Sequence, residues 1–299
     1  MITRFFKASF LAIVSVGAPA RSEDVLLGIL EEVPGVYAGD STSRKVRAVF
    51  ARKGPRWEAY KSNCADPGCL SAVTSEYPRE VTWFIGLDGH QIGQVVARTP
   101  SDFAYYAHIG LQDIVDGKAP VVGKPSYEYG GFGGHELHRP LVTDSKPYFK
   151  DPALWKRIEI TSEVRKRALA LLREHVPELC KEGPSDKEPL VPSHYGAKDL
   201  GVSANRSNSG WLVMTINVKG AYYCSGATGD GLFDVQTFAI NSTGKAQFLG
   251  AGLMLLDAGD YDSDGQSELV FALCRYNRGG YVLFSDDFAE QARFVFGYH

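Results

Sequence analysis

Apolar and polar positions alternate with period two over much of this chain. The run "VTWFIGLDGHQIGQVVAR", residues 81–98, places two such stretches around Asp88-Gly89. That pair suits a type I′ turn, in which both central residues take positive φ, so the spacing predicts a hairpin. "KVRAVFARKGPRWEAY", residues 45–60, holds two shorter stretches split at Lys53-Gly54-Pro55, a turn signal. Further strands are predicted over "GWLVMTINV", "LFDVQTFAI", "ELVFALCRY", "GYVLF" and "ARFVFGY". In "ELVFALC", Leu269, Phe271 and Leu273 lie on one side and Val270, Ala272 and Cys274 on the other. A strand apolar on both sides is expected to be buried on both, inside stacked sheets or a propeller blade.

One stretch changes period. Val164, Ala168, Leu171, Leu172, Val176 and Leu179 recur at helical spacing, while Arg165, Lys166, Arg173 and Glu174 take other faces. An amphipathic helix is predicted over 162–179, with Ser162 as its cap. The expected fold class is therefore mainly β: stacked antiparallel sheets, or a partial or small β-propeller, with one helix. A polar, proline-rich segment at 181–196 marks the expected boundary. It separates a β-rich region of residues 21–180 from a second β region of residues 197–299.

The 299 residues carry a formal net charge of -3 and no long basic run. Nucleic acid or an anionic membrane as main partner is not expected, because both call for clustered Lys and Arg. The first 20 residues read as a signal peptide. Arg4 and Lys7 precede a short apolar core, and Ala18-Pro19-Ala20 offers a cleavage site. No later segment is long and apolar enough to span a bilayer. The chain is expected to be exported, periplasmic or extracellular, and monomeric.

Export makes the five cysteines disulfide candidates. Cys64 and Cys69 flank Asp66-Pro67-Gly68, a turn sequence that can bring them within bridging distance. Of Cys180, Cys224 and Cys274, the first two form the expected second pair, and Cys274 reads as a thiol within an apolar strand.

"DAGDYDSDGQSELVF", residues 257–271, concentrates negative charge ahead of a strand. Counted from Asp260, the residues Asp262, Asp264, Gln266 and Glu268 fall at positions three, five, seven and nine. Calcium takes six to eight oxygen ligands, and alternate residues of a tight curl can direct them to one centre. Gly265 permits the sharp turn, and Gln266 can contribute its backbone carbonyl. Without a cation, clustered carboxylates repel by about 1 kcal/mol per pair even at water-like dielectric. The expected metal ligands are Asp260, Asp262, Asp264, Gln266 and Glu268, and the expected ion is calcium.

The motif Asp260-x-Asp262-x-Asp264-Gly265-x-x-Glu268, followed by "LVF", resembles the calcium loops of FG-GAP repeats, the blades of integrin-α-like β-propellers. Ser263 stands where that family commonly has Gly, and Glu268 where it commonly has Asp. One copy is clear, covering roughly residues 248–285. The resemblance implies a loop that joins two strands of one blade and binds calcium. The tail also resembles the C-terminus of exported bacterial proteins.

Enzymatic motifs are weaker. His135, Glu136 and His138 in "GGHELH" miss the H-E-x-x-H spacing of zinc proteases, and "GGFGG" lacks the βαβ setting of a dinucleotide fingerprint. Neither a G-x-S-x-G elbow nor a P-loop is present. The sequence thus favours an exported calcium-binding module with an unknown protein or glycan partner. A secreted hydrolase centred on the 126–139 loop and a cell-surface adhesion component are the alternatives.

Overall fold

A computed structural model describes residues 25–297, apart from 34–42, 63–72, 74, 100–107, 122–138, 145–148, 177, 182–190, 193, 219–220, 224–234 and 276. The described residues are mainly β, built from stacked antiparallel sheets with one helix of 14 residues.

The first half closes on itself. Strands β1 (Val25–Val33), β2 (Ser43–Lys53), β3 (Arg56–Ala59), β4 (Glu80–Leu87), β5 (His90–Arg98), β6 (Leu111–Gly117) and β7 (Leu141–Thr143) run in the order β1-β7-β4-β5-β6-β2-β3. A further pairing of β1 with β2 closes a six-stranded barrel and leaves β3 as an extension. Closure removes the unpaired edges that an open sheet exposes. Asp88 and Gly89 join β4 to β5 with φ of 50° and 77°, the backbone a type I′ turn requires. Trp83 is fully buried in the barrel core, and its indole N–H donates to Gln112 at 2.7 Å. Where β1 meets β2 the register slips. Leu27 faces Phe50 and Gly28 faces Ala48, so Val49 is an extra residue, a β-bulge.

The second half stacks in layers. Strand β8 (Lys156–Arg157) and helix α1 (Ser162–His175) are followed by β9 (Leu179–Lys181), β10 (Val191–Pro192), β11 (Leu200–Arg206), β12 (Leu212–Val218) and β13 (Ala221–Tyr223). Next come β14 (Gln236–Ile240), β15 (Ala246–Ala251), β16 (Leu253–Gly259), β17 (Glu268–Arg275), β18 (Arg278–Phe284) and β19 (Glu290–Gly297). One sheet runs β15-β14-β12-β11-β8, another β16-β17-β18-β19, and a small one β10-β9-β13.

Side-chain alternation decides what each layer touches. From β17, Val270 and Ala272 join the barrel core together with Tyr281, Leu283, Phe294 and Phe296. Leu269, Phe271 and Leu273 face the opposite way, onto Val213 and Ala239 of the five-stranded sheet. The other side of that sheet, with Leu212, Met214 and Phe238, buries Ala168, Leu172 and Val176. The order is barrel, four-stranded sheet, five-stranded sheet, helix. Each fully buried Leu or Phe contributes roughly 1.5–3 kcal/mol.

Helix α1 is capped by Thr161, whose hydroxyl accepts from the Val164 amide at 3.3 Å, rather than by Ser162. It ends at His175, four residues earlier than the apolar spacing alone predicts. Pro177 disfavours helical backbone at Val176, and Leu179 is carried into β9. The helix packs on the sheet of the C-terminal region, although it precedes the proline-rich segment. Most of that segment, and residues 1–20, lie outside the described residues. Among the described residues, no helix is long and apolar enough to cross a membrane.

The barrel and the four-stranded sheet also share a buried ionic group. Arg47 donates to Glu31 through Nε at 2.8 Å and Nη2 at 2.9 Å, and its Nη1 donates to the Ile109 carbonyl. Tyr281 of β18 donates to Glu31 and accepts from Arg139 at 2.6 Å. Burial alone would raise the Glu31 pKa, but the Arg47 charge and these hydrogen bonds outweigh it and lower it to about 2. The carboxylate therefore contributes stability above its ordinary pKa of 4.5, which is lost as pH falls toward 2. Glu31→Gln is expected to cost about 3–5 kcal/mol at pH 7, because Arg47 is left buried without its counter-charge. Urea titration should show this gap narrowing as pH falls from 4.5 toward 2, because the unfolded parent takes up a proton at Glu31 that the folded parent does not.

Candidate metal centre

The acidic stretch is the loop of the β16–β17 hairpin. Its curl is made by its own side chains. Asp262 Oδ1 accepts from the Asp264 amide at 3.1 Å, and Asp264 Oδ1 from the Gln266 amide at 2.8 Å. Asp260 Oδ2 accepts from the Gly265 amide at 3.1 Å, which folds the loop back on its start. Ser263 and Gly265 take left-handed backbone, with φ of 61° and 87°. Glycine adopts this region without penalty.

The loop is anchored to its surroundings at both ends. The Asp260 amide donates to the Lys150 carbonyl at 3.0 Å. Ser267 donates to Asp151 Oδ1 at 2.6 Å and accepts from the Ala153 amide at 3.0 Å. Glu268, the first residue of β17, accepts through Oε2 from the Tyr261 amide at 2.8 Å. Tyr261 is buried in the barrel-side core and pins the start of the curl.

Three of the predicted ligands converge. Asp260, Asp262 and Glu268 are all buried, and each offers a carboxylate oxygen within 4.8 Å of the others. Asp264 and Gln266 are exposed and lie outside this trio. The Asp264 oxygen is engaged in capping the curl. Its charge still acts on the cluster, raising the pKa values of Asp260 and Glu268. For Glu268, burial is the larger cause, and together with Asp264 and Asp260 it outweighs the Tyr261 amide and Arg52 to push the pKa to about 8. Burial is likewise the leading cause of the upward shift at Asp260.

Arg52 of β2 forms an ion pair with Asp262. With all three carboxylates ionised, this guanidinium balances only one of their charges. Asp260 Oδ1 is buried and accepts no hydrogen bond. A buried anionic oxygen without a partner carries its full desolvation cost, so it marks a place where a cation fits. The trio of hard oxygens matches a hard divalent cation.

Sequence reasoning found the three converging acids and missed Arg52, Asp151 and Ser267. Ser267 sat inside the quoted loop, but nothing local signals its bond to Asp151. The region proposed for a hydrolase, with His135, Glu136 and His138, lies outside the described residues, as do Cys64, Cys69 and Cys224. Cys180 is buried and disulfide-bonded, and Cys274 is half-buried on β17. Comparison with protein-family models, with curated proteins and with solved structures finds no match for this chain.

Asp257, on the strand that leads into the loop, has its pKa raised to about 7, by burial first and by Asp88 and Asp151 after it. The folded chain holds a proton there that the unfolded chain releases above its ordinary pKa of 3.8. That contribution lowers stability as pH rises from 3.8 to about 7. Asp257→Asn removes it. Its stability relative to the parent, measured by urea titration, should therefore increase with pH across that range.

Proposed function

We propose that this chain is an exported β protein whose β16–β17 loop binds calcium, and that it acts as a non-enzymatic binding or structural module. The observation that carries the reading is the buried convergence of Asp260, Asp262 and Glu268, together with an Asp260 oxygen that has no hydrogen-bond partner. The loop spacing shared with FG-GAP calcium loops supports the choice of ion, as does the coordination habit of calcium. Magnesium keeps its waters and rarely uses an all-protein cage. Compartments reached by export hold calcium at levels that fill sites of about 10⁻⁴–10⁻³ M affinity.

The role of the ion follows from where the loop sits. It lies at the head of β17, the strand buried against both the barrel and the five-stranded sheet. Calcium there rigidifies the junction of the layers and fixes the loops beside it for a protein or glycan partner.

Calcium bound only by the folded chain stabilises it by about 2.7 kcal/mol at a hundredfold excess over the dissociation constant. Chelator should lower the melting temperature of the purified protein, and added calcium should restore it. Asp260→Asn and Glu268→Gln should each remove this sensitivity. A parent melting temperature indifferent to calcium would end the proposal. Asp264→Ala is expected to weaken calcium binding, read by calorimetric titration, less than Asp260→Asn does, because its side chain caps the curl from outside the trio.

A further inference from the structure

The acid cluster already has one cation beside it, and that cation comes from another layer of the fold. Arg52 lies near the end of β2, and its side chain is largely buried against that of Asp262, which is fully buried. It is the cross-strand neighbour of Trp57 in the β2–β3 hairpin. Its guanidinium carbon lies 6.0 Å from the centre of the Trp57 ring, and its Nε donates to the Gly54 carbonyl at 3.0 Å. Trp57 is itself buried.

A guanidinium and a divalent cation repel strongly at the separations the cluster allows. Both also need the same carboxylate, since Asp262 is one of the three converging acids. The arginine cannot leave its hairpin, because strand pairing holds its backbone and the Gly54 bond holds one edge of its guanidinium. Within that tether the guanidinium already borders the Trp57 ring, and an aromatic face attracts a guanidinium.

We propose that Arg52 is a tethered counter-cation that calcium displaces. Without calcium it neutralises part of the cluster and holds the loop against the barrel. When calcium enters, the guanidinium leaves Asp262 and draws closer over the Trp57 ring that it already borders. Occupancy of the C-terminal loop is thereby transmitted to the β2–β3 extension of the barrel. Competition with a charge that never diffuses away also sets the calcium affinity lower than the bare acid trio would have. This rests on the calcium reading above.

The test is calorimetric titration of the purified parent, Arg52→Met and Arg52→Lys with calcium chloride at low ionic strength, together with tryptophan emission. Arg52→Met should bind calcium roughly tenfold more tightly than the parent, since one competing unit charge is gone. Arg52→Lys, which keeps that charge, should stay near the parent. Calcium should shift the emission of the parent, and Trp57→Phe should abolish that shift. If the parent binds calcium while Arg52→Met binds no more tightly, the exchange is refuted and the calcium site stands. An emission change that persists in Trp57→Phe refutes it in the same way, and decides the matter if Arg52→Met does not fold. Absence of calcium uptake by both parent and Arg52→Met overturns the site and the exchange together.

Discussion

The rest of the structure depends on burying both faces of the sheet β16–β19. Val270 and Ala272 of its strand β17 enter the barrel core, while Leu269, Phe271 and Leu273 enter the core shared with the five-stranded sheet. Neither face can be exposed without giving up a core, because apolar area removed from water is the main favourable contribution to folding. The hairpin loop at the head of β17 is therefore placed at a junction of layers rather than at a free tip. An acidic curl on a solvated hairpin would keep its carboxylates in water. Here Asp260, Asp262 and Glu268 are drawn under cover by the strand that follows them.

Two buried ionic groups on β2 show how differently such a junction can be filled. Around Arg47 cations outnumber acids: Glu31 takes two bonds from the Arg47 guanidinium, the Ile109 carbonyl takes another, and Tyr281 of the neighbouring sheet joins Glu31 to a second guanidinium, Arg139. The Arg47 guanidinium also lies 4.2 Å from the centre of the Phe296 ring. Around Arg52 the match is incomplete. Three acids face one guanidinium, and an Asp260 oxygen is left with no hydrogen bond. A group of the first kind lowers its acid's pKa, whereas at the second the pKa values of Asp260 and Glu268 rise. Burial is similar in both, so the difference lies in the count of nearby cations.

What could be read from the sequence was local. The alternation over 81–98 with its Asp-Gly pair yields β4, β5 and their turn, because turn chemistry and pleat act over a few residues. The two-sided apolar character of "ELVFALC" yields the stacking of layers. Barrel closure was not legible. It relies on β7, three residues long, bridging β1 to β4, and on β2 pairing with the distant β6. In the site, alternate spacing identified Asp260, Asp262 and Glu268, but spacing alone does not say which acids turn inward. Asp264 is spent on the Gln266 amide, a choice made by the backbone of the curl. Arg52 and Asp151 reach the loop through tertiary packing, which leaves no trace in the neighbouring residues.

The extra residue in β2 gives these contacts their geometry. In a regular strand, residues five apart point to opposite faces. Arg47 and Arg52 nevertheless both reach the C-terminal sheet and its loop, one to Phe296 and Tyr281's partner Glu31, the other to Asp262. The bulge at Val49 shifts the phase by one position and brings the two arginines onto the same side. A single inserted residue in the barrel wall thus serves as a phase adjuster. Removing it would preserve the pleat yet put Arg47 and Arg52 on opposite faces, so that barrel and acidic hairpin could stack but the Arg47 and Arg52 groups could not both form.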